Sequence, residues 1–170
     1  MSKRVSLKQF QQDLSARLQD ASTRTTLATS LGVRVGDENW LVELGNISEV
    51  IAPGPWVRVP LAKTWLLGVA NIRGKLYSVV DLPSFSGHAT VTPGPDTRLL
   101  LVHSRFAVNA ALLVDRTLGL RSMEQTGHKE TGAPDTEWIS RHYRDEQGVS
   151  WKVLDMGVLV SHPAFLQAGI

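Results

Sequence analysis

The segment that most constrains the fold is a short polar turn between two strand-like runs, at residues 68–82. Asn71 and Gly74 both tolerate a positive φ, so the chain is predicted to reverse direction between them. After Gly74 the residues alternate between two faces, which is the period-two pattern of a β-strand. This segment therefore predicts a rigid β-hairpin whose tip projects Ile72 and Arg73, and an arginine at such a tip suits contact with another protein.

Composition is that of one globular domain, and it does not point to nucleic acid as a partner. The chain has 170 residues, of which 42% are hydrophobic, with 18 Lys and Arg against 16 Asp and Glu. Such a chain buries a sizeable core, and its interleaved charges produce no strong field for nucleic acid. It has no cysteine, which excludes disulfides and thiolate chemistry and fits a reducing compartment. Neither a membrane span nor a signal peptide is recognised, so cytoplasmic localisation is expected.

The first 30 residues are predicted to form an amphipathic helix followed by a linker. Residues rich in Thr and Ser at 23–30 are poor helix formers and suit the linker. The helix is expected either to lie against the barrel of its own chain or to stay frayed, and the alternative is that it docks with a partner. Apolar side chains recur at spacings of three and four, which places them on one helical face; they are Leu7, Phe10, Leu14, Leu18 and Ala21.

Residues 31–170 are predicted to form an all-β domain with short helices, because short apolar runs alternate there with turn residues. A hairpin is expected at 33–44 and a further strand at 47–51. Pro60 suits the first turn of a brief helix at residues 61–67, which Gly68 would end.

The second half of the chain repeats this layout, which indicates a duplicated barrel. A second hairpin is expected at residues 99–114. Residues 121–150 predict no regular element, and a last strand at 149–154 is followed by a short helix. Phe165 and Leu166 are expected to seal the core.

The hairpin residues resemble those of CheW-like coupling proteins, the adaptors that join chemoreceptors to a histidine kinase in bacterial chemosensory arrays. Residues 68–74 are similar to the family's Gly-x-x-Asn-Leu-Arg-Gly, and residues 79–82 to the hydrophobic-hydrophobic-Asp-Leu that follows it. The resemblance extends over residues 33–166. The leading helix and a His-Pro-x-Phe-Leu ending are similar to the adaptor branch that serves type IV pilus chemosensory systems.

This resemblance implies two intertwined five-stranded SH3-like β-barrels around a shared hydrophobic interface, without enzymatic activity or a cofactor. It implies an adaptor that couples the cytoplasmic signalling hairpin of a methyl-accepting chemoreceptor to the regulatory, itself CheW-like, domain of a CheA-type histidine kinase. The signalling implied is that which controls type IV pilus twitching motility, with recruitment to membrane receptor arrays but no insertion into the membrane. Carried over residue by residue, the receptor-binding positions are Ile47, Glu49, Gly68, Asn71, Ile72 and Arg73.

The chain also departs from the family pattern. Ile72 replaces the usual leucine, which conserves volume, and Ser78 replaces the usual proline, which frees a backbone donor. Ala111 stands near a usual glycine and Asn109 interrupts an apolar strand. The kinase-contact residues are therefore left unassigned.

Each candidate residue also has a simpler structural explanation. Arg73 suits a solvated turn, and Gly68 suits the end of a helix. Asp81, Asp115 and Asp155 each follow an apolar run, where Asp accepts backbone N–H groups in turns, so we infer no acid–base pair. The histidines lack metal-ligand spacing, and no nucleophile elbow or phosphate loop is found, so an enzyme is not expected.

The competing interpretation is a small, OB-like barrel that binds single-stranded nucleic acid. Arg73, Lys75 and Tyr77 place charge and an aromatic ring near one hairpin, as an oligonucleotide platform would. The charge balance and the presence of only two tyrosines argue against it. A barrel that holds a small ligand is a third interpretation, which depends on a cavity that sequence does not reveal.

Overall fold

The protein folds as two β-sheets, seen here in a computed structural model that describes residues 29–122, 129–130, 132–133 and 135–170. The predicted amphipathic helix lies outside these residues. The strands are β1 (Thr29–Val35), β2 (Glu38–Glu43), β3 (Ile47–Ile51), β4 (Leu66–Ile72), β5 (Lys75–Asp81), β6 (Arg98–Val102), β7 (Ala110–Val114), β8 (Arg116–Ser122), β9 (Lys129–Glu130), β10 (Ile139–Arg144) and β11 (Ser150–Leu154). The short helices are α1 (Leu82–Phe85), α2 (Met156–Ser161) and α3 (Pro163–Leu166), with 3-10 turns at Leu44–Asn46 and Ser104–Phe106.

The chain passes from one sheet to the other and back again. One sheet has the strand order β8-β1-β2-β11-β10-β9 and the other the order β3-β6-β7-β5-β4. Strand β9 has only two residues, so each sheet contains five longer strands. Because the first sheet is built from both ends of the described chain, the two halves are intertwined. This confirms the predicted β-rich class and paired architecture.

The main hydrophobic core lies between the two sheets and receives side chains from both. Trp40 of β2 and Leu154 of β11 pack there with Leu100 of β6 and Leu112 of β7, and each is at most 2% exposed. Burying a side chain of this size stabilises the fold by roughly 2 kcal/mol. The shared core therefore holds the two halves together as one folding unit.

The C-terminal half of β5 is buried on both of its faces because it lies between two hydrophobic clusters. Val80 packs into the shared core, whereas Val79 belongs to a smaller cluster inside the five-stranded sheet. Tyr77 packs against that second cluster and Leu82, just after the strand, against the shared core. The predicted alternation along this strand is confirmed, and both of its faces are buried from Val79 onward.

Several local predictions are confirmed. The strand predicted at 47–51 is β3, and the last strand is β11. The first hairpin is β1 with β2, and its turn consists of Gly36 and Asp37 because Val35 pairs with Glu38. Helix α2 begins after Asp155, whose carboxylate accepts a hydrogen bond from the N–H of Val158 at 3.0 Å.

The helix predicted at residues 61–67 is wrong. Trp65 is buried and Leu66 already begins β4, so Gly68 lies inside a strand and ends no helix. Val57 makes an isolated antiparallel bridge to Val69. Leu61 has a positive φ of 54°, which breaks the run of helical residues.

Helix α1 and strand β10 are among the elements that have no counterpart in the sequence analysis. Helix α1 lies where the sequence analysis predicts no helix, and Asp81 caps it by accepting from Ser84 N–H at 2.9 Å. Strand β10 lies in the stretch where no element was expected, because only Ile139 and Tyr143 are buried among its residues. A strand with so few apolar side chains has no clear period-two signal.

The expectation for the C-terminal residues is half right. Phe165 is buried against Trp65 and Phe85, with ring centroids 6.1 and 5.6 Å apart, so it does seal the core. Leu166 is 60% exposed and does not. Because α3 is a single turn, adjacent residues point about 100° apart and only one of them faces inward.

Candidate functional site

The predicted recognition hairpin is formed by β4 and β5 and has a two-residue turn. Ile72 pairs with Lys75, which leaves Arg73 and Gly74 in the turn with φ values of 52° and 81°. Two consecutive positive φ values match the turn type that continues the twist of a hairpin. Arg73, and not Asn71 as predicted, therefore takes the left-handed conformation. Asn71 is the last residue but one of β4, and its Oδ1 accepts a hydrogen bond from Gly74 N–H at 2.9 Å.

Arg73 makes a bidentate ion pair with Glu49 of β3. Its Nη1 and Nη2 donate to Glu49 Oε2 and Oε1 at 2.5 and 2.6 Å. The Arg73 side chain remains 75% exposed and the Glu49 side chain 32% exposed. A planar guanidinium matched to a carboxylate has a fixed orientation. The structure thus brings two predicted site residues together and holds the arginine on the surface.

This pair bridges strands at the two ends of the five-stranded sheet. In the order β3-β6-β7-β5-β4, Glu49 lies on the first strand and Arg73 follows the last. The chain after β3 also returns to β4, where Val57 exchanges both backbone hydrogen bonds with Val69 at 2.8 Å. The hairpin tip is therefore connected to the rest of the barrel by a backbone bridge and an ion pair.

Gly68 serves this arrangement by allowing a close approach of two backbones. It is buried, has a φ of 151°, and a β-carbon there would collide with the carbonyl of Val57. Only glycine fits both the conformation and the space. Gly68 thus has a structural role in the hairpin, where its backbone packs directly against that of Val57.

The remaining predicted positions do not lie on an open surface. Ile47 is 8% exposed and packs in the shared core. Ile72 is half-buried against the cluster inside the five-stranded sheet, so the prediction that it projects from the tip is wrong. Ile47 and Ile72 therefore pack in the interior beneath the site. The surface of the site is formed by Arg73, Asn71 and Glu49.

Leu76 is the exposed residue of this surface that the sequence analysis missed. It pairs with Asn71 across the hairpin and is 62% exposed. The period-two pattern places Leu76 on the same face of β5 as Val80, which is buried. The two residues differ in exposure because they lie at different positions along the strand. Beyond the edge of the core a residue of the inward-facing set points into solvent.

The backbone donor that Ser78 provides is used. Ser78 N–H donates to the carbonyl of Asn109 at 2.9 Å, at the start of the parallel pairing between β5 and β7. Asn109 itself precedes β7 and is exposed, so it does not interrupt the apolar strand as expected. The serine thus adds a link between the hairpin and the second half of the barrel.

A second polar cluster lies on the six-stranded sheet. Lys152 Nζ contacts Glu38 Oε1 at 2.5 Å and Asp135 Oδ2 at 2.7 Å. Burial raises the pKa of Glu38, but hydrogen bonds from Lys152 and Trp40 outweigh burial and hold that pKa below its usual value. The cluster ties β2 to β11 and places a cation between two acids, which is typical of structural support.

The aspartates behave as turn acceptors. The carboxylate of Asp81 accepts from Ser84 and Val91 N–H, each at 2.9 Å, and that of Asp115 accepts from Gly36 N–H at 2.8 Å. In the described ranges, no three His, Asp or Glu side chains converge in a way that would hold a metal ion. No helix in the described part is long and apolar enough to cross a bilayer.

Of the three residues on which the nucleic-acid interpretation rests, only Lys75 is exposed and unpaired among the described residues. Arg73 is paired with Glu49, and Tyr77 is half-buried against the inner cluster. A stacking platform needs ring faces that are open to bases. The hairpin presents its charge without such a ring.

Known proteins of one family share this sequence and fold. A family model described as CheW-like domain matches residues 29–164. Protein PilI of Pseudomonas aeruginosa is 29% identical over 146 residues, which cover 84% of this chain and 80% of that protein. Chemotaxis protein CheW of Helicobacter pylori is 30% identical over 96 residues, covering 56% and 58% of the two chains. Protein FrzA of Myxococcus xanthus is 34% identical over 88 residues, covering 52% and 54%.

The fold is also that of a solved structure. The scaffolding protein TtCheW from Thermoanaerobacter tengcongensis superposes with a TM-score of 0.67 over 81% of this chain and 90% of that one, at 17% identity. At this identity the likeness speaks for the fold alone. Since the family model spans most of the chain, including both sheets and the hairpin, this protein belongs to the CheW-like domain family.

Proposed function

We propose that this protein is a non-enzymatic adaptor that couples a methyl-accepting chemoreceptor to a CheA-type histidine kinase. Its place is the cytoplasmic side of a receptor array, in signalling that controls type IV pilus twitching motility. Membership of the CheW-like family supports the adaptor role, and the similarity to PilI across 84% of the chain supports the pilus branch. The observation that carries the receptor contact is the exposed ion pair between Arg73 and Glu49 at the hairpin tip.

Pairing with Glu49 prepares Arg73 for a partner. The two Nη atoms each donate one hydrogen bond to Glu49, and a guanidinium has five N–H donors in total. The remaining donors and the planar faces are available at a side chain that is 75% exposed. Because Glu49 already fixes the orientation, binding costs less side-chain entropy than it would for a free arginine. Such an arginine suits the carboxylates or the terminal carbonyls of a receptor helix.

Asn71 and Leu76 extend the surface around the arginine. Both are exposed and lie directly opposite each other on β4 and β5. Leu76 supplies apolar contact area and Asn71 an amide, whose oxygen is engaged by Gly74. A patch of this size fits the small, transient class of interfaces below about 1,200 Å². Simultaneous binding of receptor and kinase would raise the effective concentration of each, so weak contacts suffice for assembly.

A capture experiment with separate partners tests this proposal. A receptor signalling fragment and a kinase regulatory domain are immobilised separately and offered to the wild type and to Arg73→Glu. We expect receptor affinity to fall about tenfold or more, since losing a hot-spot arginine costs about 2 kcal/mol, and kinase affinity to stay unchanged. Arg116→Glu, an exposed arginine on β8 in the other sheet, is the matched control and should leave both affinities unchanged. Unchanged receptor capture by Arg73→Glu would contradict the proposal.

A further inference from the structure

We propose that the protein has a second recognition surface, a cationic cleft that binds an acidic, extended segment of a protein partner. The cleft has a volume of about 430 Å³ and lies between the residues that precede β4 and the loop that precedes β6. We define the cationic cleft by Trp56, Arg58, Lys63, Thr64 and Thr90. It lies at the start of β4, roughly 20 Å along the strand from Arg73, so it goes beyond the proposed receptor contact and does not rest on it.

The charge of the cleft is one-sided. Arg58 and Lys63 both line it, and no acidic side chain of the described residues does. In the part of the chain that the structure describes, neither of these two side chains has a hydrogen bond or an ion pair. This contrasts with Arg73 and Lys152, each of which is neutralised by a carboxylate. Two uncompensated cations that share one concave surface favour carboxylate groups on the ligand.

The segment that carries both cations is fixed at its two ends. Val57 is bridged to Val69 of β4 by two backbone hydrogen bonds of 2.8 Å. Lys63 N–H donates to the carbonyl of Ala168 at 2.8 Å, and Leu61 accepts from Ile170 N–H at 2.9 Å. The backbone segment that carries Arg58 and Lys63 is therefore held in place by hydrogen bonds. Binding a ligand would cost little backbone conformational entropy.

The surroundings of the cleft favour a protein ligand. Val57 and Leu61, which are chain neighbours of the lining residues Arg58 and Ala62, are 75% and 80% exposed, and Trp56 contributes an indole to the wall. Arginine with an aromatic residue and exposed apolar side chains is the composition of a protein interface. Single-stranded nucleic acid is bound by grooves that collect several cations and several stacking rings, whereas this cleft has two cations and one ring.

The chain's own first 28 residues have the wrong charge to fill the cleft. An occupant of a cationic surface is expected to be acidic. Those residues instead carry more cations than acids: Lys3, Arg4, Lys8, Arg17 and Arg24 against Asp13 and Asp20. The occupant we propose is therefore a segment of another protein in which acidic and apolar side chains alternate, because an extended strand then directs all of its carboxylates to one face, towards Arg58 and Lys63.

Fluorescence anisotropy with a labelled peptide of alternating glutamate and leucine residues tests the proposal. We expect the wild-type protein to bind this peptide and not a matched peptide of alternating glutamine and leucine. The double variant Arg58→Glu/Lys63→Glu should bind about tenfold more weakly or worse, since it removes two charge-assisted contacts. The double variant Arg116→Glu/Arg144→Glu carries the same change of net charge on two exposed arginines of the six-stranded sheet and should bind within about twofold of the wild type.

Other results overturn the proposal. Equal weakening in the two double variants would mean that the peptide is attracted by net charge alone. Binding of labelled oligothymidylate in preference to the glutamate peptide would show that the cleft binds nucleic acid. No binding of the glutamate peptide by the wild type would show that the cleft does not recognise acidic segments. Arg58→Gln/Lys63→Gln, which avoids introducing like charges side by side, replaces the reversal variant if its thermal melting differs from that of the wild type, and the same loss of binding is then required.

Discussion

Arg73 and Glu49 form a bidentate ion pair between the β4–β5 turn and β3, although these elements stand at opposite ends of the sheet order. Because the arginine side chain is 75% exposed, the pair adds at most about 1 kcal/mol to stability. Its main consequence is geometric, since it fixes a guanidinium at the tip of the hairpin. The pair therefore contributes little to the stability of the fold, and its main role is to hold the guanidinium in a fixed orientation at the surface.

Replacing Gly68 by alanine is expected to destabilise the fold by about 3 kcal/mol. Alanine at a φ of 151° is strained, and its β-carbon would collide with the carbonyl of Val57. The backbone of Val57 or of β4 must then shift. Urea unfolding at neutral pH measures the change in the free energy of unfolding.

Gly74→Ala is the matched control for Gly68→Ala. Gly74 also has a positive φ, of 81°, but a β-carbon there has no neighbour within 4 Å. The expected cost is only the conformational one, about 1 kcal/mol. Equal losses in the two variants would contradict the role given to the close approach of Val57.

Asp81→Ala is expected to lower the free energy of unfolding by about 2 kcal/mol, because the N–H groups of Ser84 and Val91 lose their acceptor. Burial raises the pKa of Asp81 above 3.8, and the two hydrogen bonds only partly oppose this. The folded state therefore holds the proton more tightly than the unfolded chain. The contribution of Asp81 to stability is full below pH 3.8 and declines as pH rises through the raised pKa.

Unfolding of the wild type and of Asp81→Ala across acidic to neutral pH measures this effect. The difference in free energy between the two proteins isolates Asp81 from the other carboxyl groups. We expect that difference to narrow as the pH rises. A difference that widens with rising pH would mean that Asp81 is held in its charged form.

Lys152→Met is expected to destabilise the protein by about 2 kcal/mol at neutral pH, because Glu38 keeps a half-buried charge without its partner. Burial lowers the pKa of Lys152, but hydrogen bonds to Asp135 and Glu38 outweigh burial and raise it. The stabilisation is therefore present below pH 10.5 and lost as pH rises through the raised lysine pKa. On the acidic side it is lost as pH falls through the lowered pKa of Glu38.

Lys75→Met provides the comparison for Lys152→Met. Lys75 is exposed on β5, and a surface lysine of this kind contributes within about 0.5 kcal/mol. Denaturant unfolding at acidic, neutral and alkaline pH compares the two variants. If they lose the same amount of stability at neutral pH, the cluster around Lys152 is not a support of the fold.

Phe165→Ala and Leu166→Ala should differ sharply in stability. Phe165 is 8% exposed and lies among aromatic rings, whereas Leu166 is 60% exposed. Truncation of the phenylalanine is expected to cost about 3–4 kcal/mol, and truncation of the leucine about 0.5 kcal/mol or less. Thermal melting of both variants measures this, and similar melting temperatures would contradict the assignment of Phe165 as the residue that closes the core.

The sequence allowed the hairpin and its neighbours to be predicted because their signals are local. Turn residues bound β3, and the alternation along β5 is readable in a window of a few residues. The capping role of Asp155 is local too, since the aspartate lies next to the helix that it caps. Features of this kind are encoded within a few positions of one another.

The features that were missed depend on contacts distant in sequence. Gly68 looks like a helix end until Val57 is seen to cross it, and Arg73 looks unpaired until Glu49 is placed beside it. Ile47 belongs to a motif-like segment, but only the packing of the two sheets shows that it is buried. Spacing along a chain does not report which strands a barrel brings together.

Whether Arg73 itself contacts the receptor is tested by the charge-swapped variant Glu49→Arg/Arg73→Glu. Its receptor affinity is measured beside that of each single variant and the wild type. The swap restores an ion pair between the same strands, so its melting temperature should match that of the wild type. If Arg73 itself contacts the receptor, the swapped protein still binds the receptor fragment about tenfold more weakly or worse. Recovery of full receptor affinity by the swap would contradict the account, because the pair would then act only by holding the barrel together.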